Sequence, residues 1–345
     1  MPAAGIVIAG AGVIGCSIAW HLARAGARDV LVVDREPALG RGSTGKATGG
    51  FRTQFGTAIN VRLSLLSREK LLRFQDETGV DPGYEQRGYL FLATSERSLQ
   101  ELRGAVRVQR ECGLHETREV SAPGYVDDPH IAGALFSPID GFIRPMEILR
   151  GYCEAAKRLG VRFEFGRDVR PLDRSVTYVN AAGAWAAGLC EVPVMPVRRR
   201  VAATAPTDAL PPDMPMTIWA DDGFHLRVRD GRVLLLWPDS PPDDERWLQE
   251  VLRRAHSRIP ALRDVPIAEE WSGFYEMSPD RHAIIGRIGN VVVANGSSGH
   301  GVMHAPAIGQ LVAELIVDGR TSIDIHPLRP SRFAEGDPIA GPSLL

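Results

Sequence analysis

Ile6-Val7-Ile8-Ala9-Gly10-Ala11-Gly12-Val13-Ile14-Gly15, then Cys16 to Ala25, then Val30-Leu31-Val32-Val33-Asp34, is the stretch that decides the fold. The first apolar run is of strand type, the segment from Cys16 carries helical periodicity, and the second apolar run is another strand ending in an acid. Between them stands the spacing GxGxxG. Gly10 permits a tight turn, Gly12 lets a backbone approach a pyrophosphate, and Gly15 lets helix and strand pack closely. Val13 and Ile14 complete the glycine loop ahead of the helix, whose free N–H groups and positive dipole end suit phosphate. Asp34, at the tip of the second strand with Arg35 beside it, is spaced to accept hydrogen bonds from an adenosine ribose. A plain tight turn between strand and helix is the alternative. It leaves the terminal acid without a role.

Outward from this unit, Arg35 to Phe55 is glycine-rich and polar, and includes Ser43, Thr44, Lys46, Ala47, Thr48 and Gly49. Long connections in compact domains are often functional, and small hydroxyl residues suit contact with a phosphate or ribityl chain; a flexible surface loop is the competing reading. Arg52 lies between Phe51 and Phe55, an unusual setting for a surface charge. Periodicity predicts helices over Ala58–Thr78, from Ser95 to about Cys112, over Met146–Leu159 and over about Arg246–Ser257. Strands are expected at Tyr89–Ala93, Val161–Phe165, Val176–Val179, Val197–Thr204, Phe224–Val228, Val233–Trp237 and Val291–Ala294. Gly113 to Asp140 reads as irregular, Gly286 to Gly289 as a turn, and Asn180 to Ala186 as a small-residue turn into a helix. Asn295-Gly296-Ser297-Ser298-Gly299-His300-Gly301 leads into a helix ending near Val317, with Pro306 expected near its first turn, where a missing N–H costs least. The tail from Pro330 has too little apolar pattern to assign.

At 345 residues two domains are the expectation. A net charge of −2 gives no general attraction to nucleic acid or anionic membrane. The four cysteines lie far apart, without CxxC or metal spacing, so reduced thiols in a cytoplasmic protein are expected. Neither a targeting segment nor a membrane span is visible.

Four further motifs join the first: Ser-Thr-Gly-Lys-Ala-Thr-Gly-Gly-Phe-Arg (43–52), Asn-Ala-Ala-Gly-Ala-Trp (180–185), Ser-Pro-Asp-Arg-His-Ala-Ile-Ile-Gly (278–286) and Gly-Ser-Ser-Gly-His-Gly (296–301). In this order the chain resembles the FAD-dependent amine oxidoreductases related to D-amino-acid oxidase, glycine oxidase, sarcosine oxidase and the β subunit of L-proline dehydrogenase. The resemblance implies an α/β chain (α+β overall). A Rossmann-type FAD-binding domain would comprise 1–80, 140–193 and 275–330. A β-sheet-rich substrate domain would comprise 81–139 and 194–274, with 331–345 a tail. It implies that Val169, Ala181, Gly183, Trp185, Gly299, His300, Gly301, Val302 and Met303 adjoin the cofactor. It implies oxidation of an amino acid or N-alkyl amino acid to the imine.

Arg52 aligns with the residue that holds the substrate carboxylate in sarcosine-oxidase-like members, a structural ion pair being the other reading. His225 and Trp237 occupy strand positions where relatives line the pocket, or are ordinary sheet residues. His300 is either beside the flavin, with a direct acid–base role as a further reading, or a turn residue or packed ring. Gly273 stands where sarcosine oxidases attach flavin through cysteine, and the early loop lacks the attachment histidine of other relatives, so the FAD is expected to be non-covalent. Met303 replaces a lysine that follows Gly-His-Gly in sarcosine oxidase, and poor oxygen reactivity is expected, with another electron acceptor or a partner subunit taking the electrons. A 2-hydroxy acid dehydrogenase and a non-catalytic flavoprotein subunit are the alternatives.

Overall fold

The structure, a computed structural model, describes residues 5–168, 176–238 and 243–341. Ile6–Ala9, Val30–Asp34, Arg162–Phe165, Thr177–Asn180, Ile284–Ile288 and Val291–Asn295 form one six-stranded sheet. Ile6–Ala9 lies at its interior, parallel to Val30–Asp34 on one side and to Thr177–Asn180 on the other. Such a strand is covered on both faces and so reads as an unbroken apolar run. The helices Val13–Arg24, Pro145–Arg158 and Gly301–Val317 pack against one another around it, and their apolar faces build one core with Ile8, Ile18, Val32 and Ile308. Close approach of helix to strand depends on Gly15, where a Cβ would sit 1.9 Å from the Gly10 carbonyl oxygen. Gly10 itself has φ +105°, a conformation open to glycine.

The second sheet has eight strands, in the order Ile267–Met277, Met195–Thr204, Arg232–Leu236, His225–Arg229, Met216–Trp219, Tyr89–Ala93, Gly133–Ser137 and Arg118–Val120. It is antiparallel except between Met216–Trp219 and Tyr89–Ala93. Helix Asp244–Arg258 closes one face through Trp247 and Val251.

Several local expectations are corrected. The helix from Ala58 breaks at Arg73 into Ala58–Leu72 and Phe74–Thr78. Gly113 to Asp140 contains two strands, short enough that their sheet partners rather than their own pattern define them. Gly286 lies inside strand Ile284–Ile288, and the turn to Val291–Asn295 is confined to Gly289 and Asn290. After Asn180 the chain forms a 3₁₀ turn, Gly183–Gly188, and no α-helix. Pro306 sits one turn deeper in its helix than its chemistry favours, amid buried neighbours Ala305 and Ala307. The tail is tied down: Arg332 is fully buried, and its guanidinium donates to both carboxylate oxygens of Asp280 at 2.8 Å. Val169 and the short connection to Val176 lie outside the described residues.

Candidate active site

Two adjoining cavities open beside the C-terminal end of Ile6–Ala9. The larger, about 630 Å³, is a groove bounded by Gly10, Gly12, Val13, Ile14, Asp34, Arg35, Ser43, Thr44, Ala47, Ala181, Gly183, Trp185, Gly301 and Val302. The smaller, about 350 Å³, is bounded by Lys46, Thr48, Gly49, Arg52, His225, Trp237, His300 and Met303. Gly299 and Val302 border both. Residues more than 280 positions apart in the chain, from Gly10 to Gly301, therefore converge on one continuous space.

The groove is a cradle of backbone. Helices Val13–Arg24 and Gly301–Val317 both begin at its wall, and neither is capped by the side chain of its own N-cap residue, Gly12 or His300. Their dipole ends favour negative charge there. A Cβ at Gly12 would meet only Thr44 Oγ1, at 3.7 Å, so the glycine keeps the floor low where a pyrophosphate would lie. Asp34 plays two parts, because its carboxylate accepts from the Ala11 N–H at 2.6 Å and from the Glu36 N–H at 2.8 Å, holding the glycine turn while facing the groove. The Arg35 guanidinium stacks 4.4 Å above the Trp185 ring, which is 39% exposed at the rim.

The polar loop after Asp34 is strapped down along its length. Ser43 Oγ donates to the Phe274 carbonyl at 2.7 Å, Trp271 Nε1 donates to the Lys46 carbonyl at 3.0 Å, and Arg227 donates to the Thr48 carbonyl at 3.0 Å. Val13 N–H reaches Thr44 Oγ1 at 3.2 Å. These bonds join the loop to two strands of the eight-stranded sheet and to the start of helix Val13–Arg24, which answers the alternative of a flexible surface loop.

Arg52 is buried beneath the smaller cavity, 3% exposed, with its guanidinium 4.2 Å over the Phe55 ring. Burial lowers its pKa to about 10, so it stays charged at neutral pH. Arg52 Nη2 donates to His300 Nε2 at 3.0 Å. Since a guanidinium cannot accept, this nitrogen is the acceptor, and His300 is neutral in this arrangement. The ring is 8% exposed and meets Phe55 edge-on. Its backbone caps the helix that carries Met303, 7% exposed, in its first turn.

His225 Nδ1 donates to the Gly223 carbonyl at 2.8 Å, and burial pushes its pKa down to about 4, giving a neutral imidazole. The Trp237 ring lies 3.7 Å from the Arg254 guanidinium, and its buried Nε1–H meets no acceptor among the described residues.

Four residues carry this geometry without any signal in the linear pattern. Asp140, fully buried, accepts from the Thr53 N–H at 2.7 Å and from Gln54 Nε2 at 3.2 Å, and so fixes the chain just beyond Arg52. Its burial pushes the carboxyl up to about 6. Arg227 stacks on Phe142 at 3.4 Å while holding the loop. Tyr275 packs on Gly299, where a Cβ would lie 2.4 Å from the ring. Glu276 accepts from Ser297 Oγ at 2.6 Å; its other oxygen is buried at the groove without a partner among the described residues, and burial raises its pKa. An acid in an irregular stretch or an aromatic in a strand looks ordinary until the fold supplies its neighbours.

Among the described residues no helix is long and apolar enough to cross a membrane, and no group of three or more His, Cys, Asp or Glu residues is placed to hold a metal.

Comparison with known proteins agrees with this geometry. The solved L-proline dehydrogenase from P. horikoshii is 28% identical and superposes with a TM-score of 0.88, covering 97% of this chain and 99% of that one. Glycine oxidase from Geobacillus kaustophilus has the same fold at 22% identity, with a TM-score of 0.81 over 95% of this chain and 98% of that one. FAD-dependent oxidoreductase domain-containing protein 1 of Xenopus laevis is 28% identical over 97% of this chain and 84% of its own length. Mitochondrial dimethylglycine dehydrogenase of Rattus norvegicus is 27% identical over 95% of this chain, which spans 45% of that protein. The model of the FAD dependent oxidoreductase family, DAO, matches residues 5–315, nine-tenths of the chain, and its cofactor accords with a groove whose glycine floor, two helix starts and groove-facing acid suit a dinucleotide. The chain belongs to this FAD-dependent oxidoreductase family.

Proposed function

We propose that the protein oxidises an amino acid or N-alkyl amino acid to the imine, with non-covalent FAD. The observation that carries this reading is Arg52, a permanently charged guanidinium buried under the cavity beside the groove. A planar fork at that position grips a carboxylate bidentately, and a site with little water strengthens the contact. Bound FAD supplies the acceptor, at flavin N5, for a hydride leaving the carbon next to the amine.

The chain's own residues bind and orient. Arg52 fixes the carboxylate end of the substrate, and His300, by accepting from Nη2, sets the plane of that fork. His300 is a positioning residue here and holds no transferable proton at Nε2. Neutral His225 adds a polar contact without adding charge, while the Trp237 ring packs in the core beneath helix Asp244–Arg258 and under Arg254. Asp34 holds the ribose, and the helix start at Gly301 offers positive potential to the cofactor ring. Gly273 borders the cavity as a residue with no side chain to bond covalently. The first sheet, with residues 1–80, 140–193 and 275–330, serves as the FAD domain. The second sheet, from 81–139 and 194–274, serves as the substrate domain, and 331–345 form a tail.

Met303 fills the place in the first helical turn where a lysine would set a cation beside the cofactor. Electrons are therefore expected to leave faster to a dye or quinone, or to a partner electron acceptor, than to oxygen. Equal turnover with air and with an artificial acceptor would remove that part of the reading.

Anaerobic addition of sarcosine, dimethylglycine, glycine or proline to the holoprotein tests the substrate class. Loss of the oxidised flavin absorbance with one of these, and none with 2-hydroxy acids, is expected. Bleaching by hydroxy acids alone would reassign the activity, and bleaching by neither class would point to a non-catalytic flavoprotein subunit.

A further inference from the structure

Three neighbouring strands of the eight-stranded sheet put one polar ring between two apolar side chains on the wall of the smaller cavity. His225 stands directly opposite Ile218 on one neighbour and Leu236 on the other, so the three side chains share a face, and all three border the cavity. Arg227, two residues along the same strand and on the same face, reaches the Thr48 carbonyl at 3.0 Å. That bond sets the face against the loop leading to Arg52.

The tautomer of the ring is fixed by its own hairpin. The Gly223 N–H donates to the Trp219 carbonyl at 2.8 Å and closes the turn, and the Gly223 carbonyl accepts from His225 Nδ1 at 2.8 Å. A carbonyl can only accept, so Nδ1 carries the hydrogen and Nε2 of the neutral ring presents a lone pair. Nε2 makes no hydrogen bond among the described residues. Burial keeps the ring neutral, with a pKa of about 4, and the charge of Arg52 acts in the same direction. The cavity therefore holds a guanidinium that only donates and an imidazole nitrogen that only accepts. An amino acid carries the matching pair, a carboxylate that accepts and an amine that donates, joined through a single carbon.

Resting on the reading of Arg52 as the carboxylate anchor, we propose that His225 Nε2 accepts the N–H of the substrate amine. The contact selects amino acids whose neutral amine keeps an N–H, primary and secondary, over tertiary ones. In the oxidation the C–H bond beside nitrogen breaks, its electron pair leaves as hydride for bound FAD, and the nitrogen lone pair forms the C=N bond. Positive charge gathers on nitrogen, its N–H becomes more acidic, and the contact with Nε2 strengthens on the way to the transition state. That is the condition for an interaction to raise the rate. A tertiary amine in its reactive neutral form has no hydrogen to offer, and it leaves the Nε2 lone pair without a partner.

The test follows anaerobic reduction of the holoprotein by stopped flow at saturating sarcosine and proline. The faster of the two is compared with its N-methylated counterpart, dimethylglycine or N-methylproline. The limiting rate should be about tenfold or more higher for the secondary amine. In His225→Leu that advantage should fall to about threefold or less, through loss of rate with the secondary amine. His225→Gln, whose carboxamide oxygen can accept, should keep part of it. Methylthioacetate, in which sulfur replaces the N–H, gives a readout apart from turnover. Its dissociation constant, read from the visible spectrum of the oxidised flavin, should be equal in wild type and His225→Leu, because it offers Nε2 no hydrogen. Equal rates for secondary and tertiary amines in the wild type would overturn the contact whether or not the variants fold. An advantage unchanged in His225→Leu would do the same, as would methylthioacetate binding weakened tenfold or more there, which would make the ring a shape-setting wall residue. Each of these leaves the Arg52 reading standing, whereas no bleaching by any amino acid would bring down both.

Discussion

The nucleotide groove and the cavity beside it meet at Gly299 and are built by opposite means. Much of the groove is made of main chain: glycine positions without side chains, two helix starts, and one acid that braces the turn it serves. The cavity is made of side chains delivered by distant elements. Arg52 comes from a loop, His225 and Arg199 from two strands of the eight-stranded sheet, and His300 from a helix start. Backbone sites depend on local conformation, which a short motif can specify. Side-chain sites depend on how far-apart elements pack, so one substitution can change chemistry there without disturbing the fold.

The sharpest way to break this comparison is at Gly15. Gly15→Ala drives a Cβ against the Gly10 carbonyl oxygen, backbone against backbone, so the variant should purify without FAD or fail to fold. A folded, fully yellow Gly15→Ala protein would show that the groove tolerates what its geometry forbids.

Arg52→Ala probes the other region. Losing one partner of a desolvated charge pair costs about 2–5 kcal/mol, so kcat/KM should fall roughly thirtyfold to several thousandfold, with FAD content retained. Arg52→Lys should recover only part, because an ammonium lacks the fork. Unchanged kcat/KM in Arg52→Ala, measured under anaerobic reduction, would remove the anchor.

Acid should weaken both regions together. Burial holds His21 and His304 near pKa 3 and His225 near 4, below the ordinary histidine value of 6.5. The unfolded chain then binds more protons through this window, so stability is present above pH 6.5 and is lost as pH falls toward 4. Asp140, raised to about 6, acts in the opposite direction between about pH 4 and 6, because the folded chain keeps its proton there. Burial lowers His282 as well and raises the Glu276 carboxyl alongside Asp140, and four histidines against two carboxyls predict a falling Tm of the holoprotein from pH 6.5 to 4. A Tm that stays level or rises over that range contradicts the assignment of neutral buried histidines.

Asp34→Ala gives the smallest effect. It removes a charged acceptor from the ribose and from the Ala11 N–H, weakening FAD by about 1.5–3 kcal/mol. Equilibrium dialysis against FAD reads this directly. Full retention would mean that Asp34 serves only to brace the turn and makes no ribose contact.

What could be read in the chain before folding follows the same division. The parallel strands around Gly10, the capping residue Ser95 and the helix after His300 are set by local pattern and form where periodicity and end signals place them, while the first helix opens at Val13, three residues ahead of its periodic run from Cys16. Gly286 shows the limit: as a glycine it reads as a turn, yet its partner strand Val291–Asn295 keeps it extended. Arg118–Val120 likewise exists only because Gly133–Ser137 pairs with it.

At the site, the glycine-floored groove was legible in the chain itself. Its glycines act through their own backbone freedom, and its acid sits a fixed distance along the same strand–helix–strand unit. Arg52 was legible only through resemblance, as an arginine between two phenylalanines. The tertiary structure decided that Arg52 is buried and bonded to His300, that Asp140 clamps the chain beside it, and that Arg199 and Arg281 share its cavity. Burial and proton placement depend on distances between elements far apart in the chain, and no local pattern encodes those distances.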